Sequence, residues 1–226
     1  MTESWSFRAF GFRINVQMSF LVLAGLYVLM GLQAQLPLIA LVSWPIVIFL
    51  SIVWHELGHA ATARYLKVPV GDIELHGLGG HVTTGRSDAR RQLLISLAGP
   101  GAGILLGLVA IFATQALGYD PFKLMWTGPW YLSPELIVLS QILFVNIVWS
   151  LVNLLPMRPL DGGNALLAML TLNLRDSQRA RQITAMVGLT IGAFAIAWAW
   201  TSGRTFLLLL AGYFTLQNYL IWQSGR

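Results

Sequence analysis

From Leu38 to His59 the chain reads LIALVSWPIVIFLSIVWHELGH. No Asp, Glu, Lys or Arg occurs from Ile14 to Trp54, and an ionisable cluster, His55-Glu56-Leu57-Gly58-His59, then arrives inside the same apolar run. A bilayer crossing needs about 20 apolar residues. The 41 uncharged residues therefore hold two helices, divided near Gln33-Ala34-Gln35-Leu36-Pro37. Further uncharged runs extend from Gln92 to Tyr119, Leu136 to Met157, Gln182 to Gly203 and Thr205 to Gly225. Six crossings are expected, in an all-α polytopic membrane protein read as one domain over residues 1–226.

Composition supports this reading. Of 226 residues, 56% are hydrophobic and 10% charged, against roughly 25% charged in a soluble domain, so a water-soluble fold is excluded. The 22 glycines and mean hydropathy of +0.68 agree, because glycine is commoner in transmembrane helices. The absence of cysteine excludes a disulfide framework, a thiolate zinc site and a thiol nucleophile. Any metal must be held by His and carboxylate. A net charge of +5 and a pI near 10 would suit nucleic acid, but the distribution argues for lipid and against a nucleic-acid partner. With the N-terminus inside, the basic residues from Arg8 to Arg91, from Arg175 to Arg181 and at Arg226 fall on the cytoplasmic side, and only Lys123 and Arg204 fall outside. That asymmetry sets the expected topology, with both termini cytoplasmic. The N-terminal apolar stretch lacks a small-residue cleavage site and reads as a retained helix.

Along the chain, Thr2 to Gln17 reads as an interfacial segment leading into helix 1, about Met18 to Gln35. Helix 2 follows from about Leu38 to Leu66. Hydropathy falls between Val68 and Arg91. There Val70, Ile73 and Leu75 are interspersed with Asp72, Glu74 and His76, and Gly79-Gly80 precedes a β-prone His81-Val82-Thr83-Thr84. This reads as a short membrane-associated hairpin. Helix 3 covers about Gln92 to Leu117, and Tyr119 to Ser133 is an outer loop. Helix 4 starts near Pro134, is interrupted by Pro156 and Pro159, and resumes from Asp161 to about Leu174. Helices 5 and 6 are joined at Ser202-Gly203-Arg204.

His55 and His59, at i and i+4, share a helix face, so their imidazoles can bind one metal, and Glu56 can reach a water there as its base. An ionisable cluster at membrane depth is functional by default. A catalytic zinc site uses three protein ligands, and of nine acids only Asp161 is neither assigned to an aqueous segment nor already used. His55 lies about 26 Å along helix 2 and Asn153 about 28 Å along helix 4, at 1.5 Å per residue. Both therefore arrive in the inner part of a roughly 30 Å core. Broken backbone at that depth is tolerated where it is buried in protein or lines a wet cavity.

His55-Glu56-Leu57-Gly58-His59 in one membrane helix, with Leu160-Asp161-Gly162 in a later one, resembles the site-2 protease family of intramembrane zinc metalloproteases. The resemblance covers about Ser51 to Leu170 and includes Leu78-Gly79-Gly80 and Ala98-Gly99-Pro100. It implies one Zn2+ per chain held by His55, His59 and Asp161, with Glu56 as catalytic base and Asn153 close to the scissile bond. It also implies cleavage of transmembrane protein substrates in the cell (plasma or inner) membrane, by a core of about 38–174. One departure is Gly103, where many members carry Asn; it bears on helix packing or a polar contact. No stretch is long enough for a PDZ or CBS domain.

Other residues keep plainer readings. Asn153 either holds a developing oxyanion or bonds freed backbone at the break. Arg158 snorkels to the interface, and His76 and His81 are solvated hairpin positions. Gly99, Gly103 and Gly107 recur every four residues as a helix-packing stripe. The residues read best as an intramembrane metalloprotease. Its rivals are a proteolytically silent client-binding relative, which an intact Glu56 disfavours, and a metal transporter, which the lack of further intramembrane acids disfavours.

Overall fold

Phe12, Ile14 and Val16 alternate with Arg13, Asn15 and Gln17, and this period of two builds a strand. In the computed structural model, which describes residues 4–77 and 79–224, that strand is the second of four. Leu78 of the Leu78-Gly79-Gly80 motif, the N-terminal Met1, Thr2 and Glu3, and the C-terminal Gly225 and Arg226 lie outside the described residues. The strands are β1 (Ser4–Ala9), β2 (Phe12–Gln17), β3 (Val70–His76) and β4 (Gly79–Thr84), in spatial order β1-β2-β3-β4. The β1–β2 turn is Phe10-Gly11, with φ of 52° and 78°, the two left-handed residues that a tight hairpin requires. The expected interfacial segment before helix 1 is thus a hairpin, and the sheet is twice as large as the sequence suggests.

β2 and β3 pair in parallel, Ile14 opposite Ile73 and Val16 opposite Leu75. A parallel pair needs a long crossover, supplied here by α1 (Met18–Gln33) and α2 (Leu38–Tyr65). The inward faces of the sheet, Phe12, Ile14, Val16, Ile73, Leu75 and Val82, bury against Ile52, Val53, Leu57 and Ala60 of α2. Each fully buried aliphatic side chain contributes about 1.5–3 kcal/mol, so this cluster fixes α2 on the sheet. On the other face, Asn15 donates to Asp72 at 3.0 Å and Gln17 to Glu74 at 3.2 Å.

The chain continues through α3 (Ala89–Ala116), α4 (Pro121–Trp126), α5 (Pro134–Leu143), a π-helical stretch Phe144–Trp149, α6 (Ser150–Asn153), α7 (Asp161–Leu174), α8 (Ser177–Thr201) and α9 (Thr205–Ser224). Among the described residues, five helical spans are long and apolar enough to cross a membrane: Leu38–Tyr65, Ala89–Ala116, Pro134–Asn153, Ser177–Thr201 and Thr205–Ser224. These make the chain a multi-pass membrane protein. The expected first crossing, α1, is apolar but has 16 residues, about 24 Å at 1.5 Å per residue. It ends where Gln35 turns left-handed and the Leu36 N–H bonds the Gly31 carbonyl at 2.9 Å.

Two compact units emerge. One comprises the described residues of 1–86 with 101–150, and the other 87–100 with 151–224. In the first, Gly103 lies against Ser150 and Gly107 against Ile147, as a packing stripe requires, and Trp54 Nε1 donates to the Ala102 carbonyl at 2.9 Å. In the second, α8 and α9 form a hairpin across the Ser202-Gly203-Arg204 turn. Gly188 and Gly192, one turn apart, receive Asn218 and Thr215, letting the backbones approach. Asp176 caps α8 by accepting from the Gln178 and Arg179 N–H groups at 2.9 and 3.0 Å, satisfying two otherwise free donors.

Candidate metal centre

α2 carries His55, Glu56 and His59 deep in its second half, and all three are buried. Charged or dipolar groups in such surroundings are costly without partners. The His55 and His59 Nε2 atoms lie 3.1 Å apart, with the rings edge to face. Two nitrogens bound to one tetrahedral zinc at 2.0–2.1 Å stand roughly 3.3 Å apart. The pair is therefore spaced as two ligands of one ion.

Backbone of β4 passes close to Glu56. A Cβ added to Gly80 of β4 would stand 2.5 Å from Glu56 Cγ and 2.6 Å from its Oε1. β4 thus runs directly past this carboxylate, and only glycine permits the approach. That accounts for the glycine in the hairpin motif. One turn before His55, Ser51 accepts a bond of 2.9 Å from Asn146, which also donates to the Ile142 carbonyl. Asn146 lies in the π-helical stretch, a distortion frequent at functional sites, and the sequence reading passed over it. A single amide in an apolar helix needs partners at membrane depth, and that was the available signal.

Asp161 is the first residue of α7, where the helix dipole favours a carboxylate. The chain before it is broken from 154 to 160. A Cβ on Gly162 would collide with the Leu154 and Leu155 carbonyl oxygens, and one on Gly163 would stand 2.6 Å from the Arg158 nitrogen. The two glycines of Asp161-Gly162-Gly163 let the first turn of α7 fold back on that loop. Asn153 is the last residue of α6, immediately before the break. Arg158 is half-buried within the loop, and its Nε has no hydrogen-bond partner.

His55 and His59 lie in the first unit, and Asp161, the expected third ligand, lies in the second. Two imidazoles and one carboxylate match the donor set of hydrolytic zinc sites, which keep a fourth position open. His76 and His81 stand instead on β3 and β4. Burial, then the neighbouring His81, push the His76 pKa down, partly opposed by Glu74.

Residues 44–128 match the model of peptidase family M50. A zinc metalloprotease of Methanocaldococcus jannaschii is 27% identical over 91% of this chain and 56% of its own length. A Mycobacterium tuberculosis protein named as a zinc metalloprotease is 30% identical over 84% of this chain and 49% of its own. The chain therefore spans about half the length of these curated relatives. The solved site-2 protease from Methanocaldococcus jannaschii superposes with a TM-score of 0.68 over 97% of this chain and 95% of that one, at 21% identity, and shares the fold. By these matches, residues 44–128 resemble peptidase family M50, and the chain has the fold of a solved site-2 protease.

Proposed function

We propose that this chain is a zinc metalloendopeptidase that hydrolyses a peptide bond within or near a transmembrane segment of a membrane-protein substrate. The observation that carries this reading is the pair of buried imidazoles whose Nε2 atoms converge to 3.1 Å beside a buried glutamate. His55, His59 and Asp161 would hold one zinc. When bound, zinc supplies Lewis acidity, polarising a carbonyl and acidifying water. Glu56 takes the proton from the attacking water as the carbon–oxygen bond forms, then delivers it to the leaving amine nitrogen as the carbon–nitrogen bond breaks. Asn153 lies near the scissile bond and donates to the carbonyl oxygen as charge develops there.

A peptide bond within a helix is shielded by its own hydrogen bonds, so the substrate must be extended. Strand addition suits this need, because main-chain pairing demands little sequence. Within the segment from Val70 to Thr84, β3 is already paired on both sides, whereas β4 ends the sheet. The substrate strand is therefore assigned to β4, which passes Glu56 at Gly80. Proline at Ile73 or Leu75 would disrupt the sheet itself. Proline at alternate positions of β4 isolates its outer edge. The proposed orientation places both termini and the segments 68–91 and 175–181 in the cytoplasm, with 38–174 as the catalytic core.

The decisive test is Glu56→Gln in purified full-length protein. Zinc content should match wild type while cleavage of a transmembrane substrate is abolished. Turnover near the wild-type rate would exclude Glu56 as the base, and zinc loss would show that the substitution disturbs the ligands.

A further inference from the structure

Asn218, in the last helix, is fully buried and bonds a residue 60 positions earlier. We propose that Asn218 is a positioning residue for the metal centre: by fixing the backbone of Arg158, it sets where Asp161 stands. This rests on the reading of Asp161 as a zinc ligand.

The side-chain amide uses both its donor and its acceptor sides. Nδ2 donates to the Arg158 carbonyl at 2.6 Å and to the Phe214 carbonyl at 2.8 Å, and Oδ1 accepts from the Arg158 N–H at 3.2 Å. One side chain thereby satisfies both backbone groups of a residue in a helix break, where neither has a helical partner. The amide is also backed from behind. A Cβ on Gly188 of α8 would collide with its Oδ1, so the helix hairpin leaves it one orientation.

Two residues separate Arg158 from Asp161, and the connection is taut. The Leu160 N–H bonds the Met157 carbonyl at 3.0 Å, the Gly163 N–H bonds the Leu160 carbonyl at 3.0 Å, and Gly163 packs on the backbone of Met157 and Arg158. A shift of Arg158 therefore moves the first turn of α7, which bears the carboxylate. Partners that orient metal ligands typically contribute 10–100-fold to metal affinity.

The test uses full-length protein in nanodiscs, stripped of metal and titrated with zinc against a chromophoric chelator, with the visible spectrum of the cobalt(II) form as a reporter of ligand geometry. Asn218→Leu should weaken zinc binding roughly 10–100-fold and alter the cobalt spectrum. Asn218→Asp, which keeps the acceptor for the Arg158 N–H, should weaken it less. Thr215→Val alters the same α8–α9 contact at Gly192 without touching Arg158, and should behave as wild type. The proposal is overturned if both Asn218 variants bind within about threefold of wild type with unaltered spectra, or if Thr215→Val loses as much affinity. Should Asn218→Leu fail to fold, unchanged affinity in Asn218→Asp overturns it alone. Wild type that takes up no zinc overturns the zinc reading, and this proposal with it.

Discussion

Adding one methyl group at Gly80 should disable the base while sparing the metal. The alanine Cβ would stand 2.5 Å from Glu56 Cγ, where ordinary contacts begin near 3.4 Å, leaving a shortfall of about 0.9 Å. The sheet core of Ile73, Leu75 and Val82 against α2 resists moving β4 as a whole, so much of the adjustment falls on the Glu56 side chain. A misplacement of about 1 Å in a reacting group can cost 100-fold in rate, equivalent to about 2.7 kcal/mol at 1.36 kcal/mol per tenfold. The three atoms nearest the new methyl group all belong to Glu56. Gly80→Ala should therefore retain stoichiometric zinc and lose about 100-fold in turnover. The assay is single-turnover cleavage, in nanodiscs, of a transmembrane peptide that wild type cuts and Glu56→Gln does not, with metal content measured on the same samples. Wild-type turnover, or activity falling in proportion to zinc, would refute the reasoning.

Asp161→Ala should lower zinc content in purified protein, as should His55→Ala and His59→Ala; full occupancy in Asp161→Ala would mean that another group completes the site. Ser51→Ala removes one of two acceptors from the buried Asn146 amide and should cost about 0.6 kcal/mol, the average for interhelical bonds in membranes, read by reversible unfolding in mixed micelles. Cysteines placed at Ser87 and Tyr119 of this cysteine-free chain should be labelled from opposite sides, and labelling of Ser87 from outside intact cells would refute a cytoplasmic 68–91 segment. Because His76 titrates below its ordinary value, through burial and His81, the folded state binds its proton less readily than the unfolded state. Its stability contribution should be present above pH 6.5 and lost as pH falls through the depressed pKa. A His76→Gln variant should flatten the dependence of the thermal midpoint over that window.

How much could be read in advance varied with the distance between partners along the chain. The HExxH ligands lie one helical turn apart, and the acid at Asp161 is singled out because every other acid has an aqueous place or another role. The helices from α2 onward follow the uncharged runs closely. The sheet was half missed. Residues 4–17 mix aromatics with arginine, their turn is Phe10-Gly11 rather than a common hairpin dipeptide, and β2 pairs with a strand some 57 residues later. Period-two alternation in Phe12, Ile14 and Val16 was present but ran without punctuation into α1. The π-helical stretch and the Asn146 and Asn218 bonds depend on helix rotation and register, which hydropathy does not encode.

Close backbone approach helps to place two of the ionisable groups. Gly80 admits a strand beside Glu56, and Gly162 and Gly163 admit a folded loop beside Asp161. Each glycine lowers the local stability of its element, yet a side chain at Gly80 would strike Glu56, and one at Gly162 or Gly163 would strike the loop that precedes Asp161. Close backbone is a stiffer restraint than a long polar side chain, because it carries no rotamers of its own. On this argument, enlarging Gly80 should impair proton transfer and enlarging Gly162 should impair metal retention. The two phenotypes should separate cleanly, even though both substitutions add the same methyl group.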